Sequence, residues 1–325
     1  VSRSEVVLER QFKFKHTNEI WTGVPIFSAN MDTTGTFETA ITLQKHKMLT
    51  AIHKFYSIKD WEKNVEKLDP NFISVTVGQS KEDLQLGQKI FSLNSDIKYL
   101  CIDVANGYRE DFINSVKNYR ETFPDKIIIA GNVATREMTE ALILAGADIV
   151  KIGIGPGSVC TTRSVAGVGY PQLSSISECS DAAHGLGGHV MADGGCKYPG
   201  DVSKAFGAGA DYVMLGGMFA GHKESGGELV TDEEGVQYKD FYGMSSTKAQ
   251  QTYYGDLAEH RAPEGKKVRL RYKGELDKTV QSILGGMRSA CSYVGAKKLK
   301  DLPKSTTFIR VTQTTNEIFT GSENI

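Results

Sequence analysis

No stretch of this sequence approaches the roughly 20 consecutive apolar residues that a membrane span requires, and no secretory signal opens it. An excess of one charge is missing as well. Thirty-eight Lys and Arg against 39 Asp and Glu leave a net charge of −1. A general nucleic-acid or membrane-surface binder is not expected, although local basic patches stay open. Cysteine is sparse, with Cys101, Cys160, Cys179, Cys196 and Cys291 scattered over 325 residues. An odd, dispersed set argues against a disulfide scaffold and points to a reducing, cytoplasmic compartment. No CxxC pair or Cys/His cluster has zinc-ligand spacing, which argues against a structural metal. The sequence begins at Val1 without Met, so a preceding piece is expected.

What is present is the balance of a globular protein, 40% apolar and 24% charged. Short β-branched runs alternate with amphipathic stretches between residues 23 and 217. The expected strands are Val24–Ser28, Met48–His53, Phe72–Val77, Lys98–Val104, Lys126–Gly131, Asp148–Gly153, Gly188–Asp193 and Asp211–Gly216. Several are apolar on both faces (Ile127–Ala130, Ile149–Ile152), as in a buried parallel sheet. Thr135–Ala145 reads as a helix capped by Gly146. Eight strands about 25 residues apart predict an α/β protein, a single-domain (β/α)8 TIM barrel over 1–325. A doubly wound open sheet is the alternative. The barrel is favoured because polar and Gly residues gather after the strands, where a barrel builds its site. Residues 221–275 read as a long irregular flap or lid. Residues 279–325 close the chain, with a helix over Thr279–Tyr293 and a short extended segment over Thr306–Val311.

The 34 glycines are concentrated at particular loops. Gly153-Ile154-Gly155-Pro156-Gly157-Ser158-Val159-Cys160-Thr161-Thr162-Arg163 places three glycines in five residues, a backbone that can turn tightly and present N–H and C=O groups. A cysteine on such a loop is partly exposed and open to activation as a thiolate. A loop cysteine without a role is the competing reading. Asp193-Gly194-Gly195 and Gly216-Gly217 follow the seventh and eighth strands, where this architecture holds phosphate. Asp193 suits a ribose hydroxyl pair. A nucleoside monophosphate explains both features, whereas tight βα turns alone explain the glycines. Lys54 and Asp103 read as a functional cation and carboxylate or as rim charges, and His53 as structural. Tyr242-Gly243-Met244-Ser245 could face a flat heterocycle. Glu264, taken alone, is a surface residue.

Gly-Pro-Gly-Ser-Val-Cys-Thr-Thr-Arg (155–163), Gly-Val-Gly-Tyr-Pro-Gln (167–172), Asp-Gly-Gly (193–195), Met-Leu-Gly-Gly (214–217) and Tyr-Gly-Met-Ser-Ser (242–246) together resemble the IMP dehydrogenase/GMP reductase family. The likeness runs from Arg3-Ser4-Glu5-Val6 to Phe308-Ile309-Arg310-Val311. Asn30-Met31-Asp32 leads to the second strand too quickly for the regulatory insertion usual in dehydrogenases. Arg271-Tyr272 lies after Glu-Gly-Lys and resembles a barrel-returning strand rather than the dehydrogenase Arg-Tyr pair. Arg261-Ala262-Pro263-Glu264-Gly265-Lys266 resembles the reductase form. One departure is a stretch missing before the first barrel strand, which leaves the N-terminal barrel cover open.

The resemblance to the reductase branch implies conversion of GMP and NADPH to IMP, ammonia and NADP+. Cys160 would be the covalent nucleophile and Thr162 with Glu264 the proton relay. Lys54 and Asp103 would stand near the cofactor and the reacting centre. It assigns GMP to Asp193, Gly194, Gly195, Gly216, Gly217, Gly243, Met244, Ser245, Arg261, Ala262, Pro263 and Gly265. It assigns NADPH to Ser2, Arg3, Lys54, Asp103, Val104, Ala105, Ile154, Gly155, Met244, His260, Arg261, Ser289, Ala290, Cys291 and Ser292. Carbonyls of Gly155, Gly157, Cys160 and Arg163 would hold K+. A homotetramer is implied too, with neither nucleic acid nor membrane as partner. An IMP dehydrogenase without its insertion, and a silent nucleotide-binding barrel, are the alternatives.

Overall fold

A computed structural model describes residues 1–255 and 262–312. The chain opens with a hairpin, β1 (Arg10–Lys13) and β2 (Ile20–Gly23). Eight parallel strands follow: β3 (Ile26–Ser28), β4 (Leu49–Ile52), β5 (Ile73–Val77), β6 (Tyr99–Asp103), β7 (Ile127–Val133), β8 (Ile149–Ile152), β9 (His189–Asp193) and β10 (Tyr212–Leu215). They form a closed barrel in chain order, sealed where Val213 and Leu215 of β10 register with Ile26 and Ser28 of β3. All eight expected strands are present, shortened by a residue or two at most ends.

The main outer helices are α1 (Phe37–Gln44), α2 (Ile58–Asn64), α3 (Lys81–Leu93), α4 (Glu110–Thr122) and α5 (Arg136–Ala145). After the short α6 (Thr162–Val165) come α7 (Gln172–Gly185) and α8 (Pro199–Gly207). Helix α5 ends at Gly146 with φ +125, a conformation that favours glycine. Helices α2, α3 and α4 begin at Ser57, Ser80 and Arg109; the two serines accept N–H groups of the first turn. One apolar layer fills the space between strands and helices, with Val75, Leu100, Ile102, Ile128, Val150 and Val190 facing outward. A second fills the barrel, with Phe27, Tyr99, Ile127, Met191, Tyr212 and Met214 facing inward. Among the described residues, no helix is long and apolar enough to cross a membrane.

Three expectations need correction. The N-terminal cover is present: Phe12 stacks on Tyr212 at 4.7 Å between ring centroids, and Trp21 meets Tyr99 and Tyr212 edge-on or tilted. The hairpin's exposed residues alternate with these aromatics, so too few apolar positions announced it. The segment 221–275 is not irregular among its described residues. It contains β11 (Leu229–Thr231), β12 (Gln237–Tyr242), α9 (Thr247–Tyr254) and β13 (Lys267–Arg271). Strand β13 does not return to the barrel, because it pairs antiparallel with β12, Tyr242 opposite Lys267. The closing helix is α10 (Leu276–Val294), followed by α11 (Leu302–Ser305), and residues 306–312 carry no regular element.

Trp21 is 2% exposed, and its indole N–H donates to the Asn71 carbonyl at 2.7 Å. Trp21→Ala is expected to cost about 3–5 kcal/mol, measured by urea denaturation.

Candidate active site

Parallel closure points the carboxyl end of every barrel strand at one rim. The loop after β8 runs along that rim, and its glycines allow close approach. A Cβ at Gly153 would lie 2.2 Å from the Asp193 carbonyl, and one at Gly194 3.0 Å from Pro156. One at Gly217 would come within 3.1 Å of Ser158 Oγ. The cysteine loop, Asp193-Gly194-Gly195 and Gly216-Gly217 therefore lie side by side on the rim. Met31 Sδ borders it beside Gly216.

The same loop is tied to residues 264–266 by backbone hydrogen bonds. Thr161 N–H donates to the Glu264 carbonyl at 3.1 Å and Lys266 N–H to the Val159 carbonyl at 2.9 Å, so Cys160 and Gly265 sit as in an antiparallel ladder. Glu264 N–H donates to the Ser245 carbonyl at 3.1 Å, which draws in Gly243-Met244-Ser245. A Cβ on Gly243 would press on the Val159 carbonyl at 3.0 Å. This stitching carries the Glu264 side chain inward. The Cys160 thiol donates to Thr162 Oγ1 at 3.3 Å, and the Thr162 hydroxyl donates to Glu264 Oε2 at 2.6 Å. All three side chains are half-buried. Thiol, hydroxyl and carboxylate thus form one directed chain, which a lone surface glutamate could not supply.

A second constellation lies below. Lys151 is 3% exposed inside the barrel, with Nζ 2.6 Å from Asp103 Oδ1, 2.9 Å from Asp193 Oδ2 and 3.3 Å from Asn30 Oδ1. Burial alone would lower the Lys151 ammonium, but Asp103 and Asp193 hold it well above its usual range. Burial likewise favours protonating Asp103, and Lys151, with Lys54 and Asn30, holds its carboxyl below the usual range instead. Asn132 Nδ2 donates to Gly153 O and to Asp193 Oδ2, each at 2.9 Å, while its Oδ1 is buried without a partner. Lys151, Asn30 and Asn132 were missed from sequence. A lysine inside the apolar run Ile149–Ile152 was the available signal.

The His53 ring stacks on Tyr56 at 4.0 Å and its Nδ1 accepts the Phe55 N–H at 3.2 Å. Val104, Ala105, Ile154 and Gly155 follow β6 and β8 on the same rim. Ala262 and Pro263 lead directly into Glu264 and are exposed. His260 and Arg261 lie outside the described residues. Ser2-Arg3 and Ser289–Ser292 form a separate group. Ser292 Oγ donates to the Val1 carbonyl at 2.6 Å, so Ser2-Arg3 and Ser289–Ser292 gather together. They do so about 24 Å along α10 from Leu276, whose N–H contacts Glu224 near the rim. The Cys291 side chain is buried in the core between α8 and α10.

For the proposed cation, the Gly157 carbonyl already accepts the Cys160 N–H at 3.1 Å, and Gly155 holds φ +80 with Arg163 packed against it. A tightly turned run of carbonyls is a donor set that fits a weakly hydrated monovalent ion.

Two outcomes follow from these contacts. Lys151→Met leaves two neighbouring carboxylates without their cation and is expected to cost about 3–5 kcal/mol in denaturant titrations. Burial pushes the His53 imidazole down from 6.5 to about 4, ahead of the opposing pull of Asp32 and Asp60. The unfolded chain therefore binds that proton first, and stability falls as pH drops from 6.5 toward 4. At pH 5 the loss from this group is about 2 kcal/mol, and His53→Gln should flatten that slope.

The sequence profile of the IMP dehydrogenase/GMP reductase domain matches residues 2–318. A protein named GMP reductase from Buchnera aphidicola subsp. Acyrthosiphon pisum (strain Tuc7) is 57% identical over 321 residues, covering 98% of this chain and 92% of that protein. GMP reductase 2 of Mus musculus is 55% identical over 325 residues, covering 99% and 93%. GMP reductase of Escherichia coli O81 (strain ED1a) is 56% identical over 321 residues, covering 98% and 92%. With its barrel, its cysteine loop and this full-length likeness, the chain belongs to the IMP dehydrogenase/GMP reductase family.

Proposed function

We propose that this chain is a GMP reductase acting in purine-nucleotide salvage: GMP, NADPH and two protons give IMP, NADP+ and ammonium. The observation that carries this reading is the directed chain Cys160–Thr162–Glu264. Proton flow along it leaves a thiolate at Cys160 and a protonated carboxyl at Glu264. The thiolate adds to purine C2, forming a C–S bond. Amine nitrogen leaves poorly unless protonated, so Glu264, through Thr162, returns the proton to the C2 amino group. The C–N bond breaks, ammonia departs and a thioimidate on Cys160 remains. NADPH, when bound, supplies hydride to C2. The C–S bond then breaks and the electron pair returns to Cys160 as thiolate.

Gly194, Gly195, Gly216 and Gly217 hold the phosphate in this reading and Asp193 the ribose. Gly243, Met244, Ser245, Arg261, Ala262, Pro263 and Gly265 surround the base. Lys54, Asp103, Val104, Ala105, Ile154, Gly155, Met244, His260 and Arg261 take the cofactor from one side. The unpaired Asn132 acceptor beside them suits a polar ligand. Ser2, Arg3 and Ser289–Ser292 serve the cofactor site of a neighbouring copy in a homotetramer, which accounts for their distance from Cys160. Carbonyls of Gly155, Gly157, Cys160 and Arg163 bind K+, holding the cysteine loop in its turned form. Residues 221–275 act as the flap and 279–325 as the closing segment of one cytoplasmic catalytic domain.

The test mixes protein, GMP and NADPH and follows NADPH absorbance together with ammonia and IMP. Equimolar loss and gain support the reading, whereas NADH formation from IMP and NAD+ with no GMP turnover overturns it. Cys160→Ala should retain GMP affinity and lose turnover. Glu264→Gln should lower kcat by about 10²–10⁴-fold with a smaller change in KM.

A further inference from the structure

The end of the barrel opposite Cys160 holds a group of side chains that the proposed reaction does not use. His184 ends helix α7, His189 opens β9, and Asp211 immediately precedes β10. His184 Nε2 lies 2.7 Å and His189 Nδ1 3.5 Å from the same oxygen, Asp211 Oδ2, and the three atoms lie within 4.8 Å of one another. We propose that these three residues form a binding site for a zinc-like divalent cation, which would staple the amino-terminal end of the barrel.

Two features of the surroundings favour a cation over a hydrogen-bond cluster alone. The other nitrogen of His189, Nε2, donates to the Lys13 carbonyl at 2.8 Å and turns Nδ1 toward Asp211 Oδ2, 3.5 Å away and outside hydrogen-bond geometry. Burial lowers the His189 imidazolium, but Asp211 holds it above its usual range, so a cation at Nδ1 displaces a proton. A ligating histidine ordinarily has this outer-shell arrangement, with its other nitrogen tied to a carbonyl. Asp211 is equally prepared, since the Val190 N–H donates to Oδ2 at 3.0 Å and fixes the carboxylate.

The donor set and spacing suit one class of ion. Two imidazoles and a carboxylate with an open position are a zinc-type set, with bonds of about 2.0–2.2 Å that put tetrahedral donors about 3.3 Å apart. The 2.7 and 3.5 Å separations straddle that value. The ion would replace the proton now shared by His184 and Asp211. His184 is nearly half exposed, with 47% of its side chain open, so that arm can adjust and water can fill the fourth position. Arg10 brings an opposing charge, 3.6 Å from Asp211 Oδ1, whereas both imidazoles meet Oδ2. A bound cation would join α7, β9, β10 and, through the Lys13 carbonyl, the strand β1 that starts the aromatic plug.

Cobalt(II) titration of the Cys160→Ser full-length protein tests this site apart from the proposed catalytic thiol. The expected result is one equivalent of cobalt giving visible d–d bands without a sulfur-to-cobalt charge-transfer band. His184→Gln, at an exposed position that should leave the fold intact, is expected to weaken binding by more than the ten- to about a hundredfold cost of losing an outer-shell partner. Zinc should raise Tm of the parent protein and not that of His184→Gln. No cobalt uptake, uptake through sulfur alone, or unchanged uptake in His184→Gln overturns the proposal.

Discussion

Closing the sheet is the constraint on which the rest of this structure depends. When β10 registers with β3, no barrel strand keeps an unpaired edge, and all eight carboxyl ends open on one rim. The opposite end must then be sealed. The hairpin aromatics Phe12, Phe14 and Trp21 do this against Tyr99 and Tyr212, burying a ring stack where the strands begin. Stability and chemistry are thereby assigned to opposite ends. An interior charge can be accommodated only near the rim, where polar groups are available to meet it.

Lys151 is that charge. Its ammonium spans β6, β8 and β9 by holding Asp103 and Asp193 at once. Two carboxylates so close would repel without it. With it, both are fixed in orientation beneath the cysteine loop. Above them, order comes from backbone pairing. The hydrogen bonds of Val159 and Thr161 to the 264–266 segment bring Glu264 to Thr162 across 102 positions of sequence.

Much of the fold was legible because buried parallel strands have a distinctive composition. Ile127–Ala130 is apolar on both faces, as is Ile149–Ile152 apart from Lys151, and Gly residues follow where the backbone turns sharply. The hairpin was not, since Arg10–Lys13 is short and shows only one apolar side chain, Phe12, to the barrel. Strand β13 alternates exposed Lys267, Arg269 and Arg271 with half-buried Val268 and Leu270, a pattern that marks a strand but not its sheet. Cys160 and the glycine turns were readable as local features. The Glu264 contact depends on pairing between distant segments, which no local pattern encodes; resemblance alone pointed to it. Lys151 was hidden by its apolar neighbours, since periodicity averages over the single polar residue that matters.

The proposed reaction turns on Cys160 bonding to the purine before hydride arrives. Rapid acid quenching of the enzyme during turnover of GMP, followed by intact mass and peptide mapping, addresses it directly. The expected result is an adduct of GMP less ammonia on the peptide that contains Cys160, absent from Cys160→Ala. Sustained GMP turnover with no adduct at any quench time, and undiminished in Cys160→Ala, would contradict it.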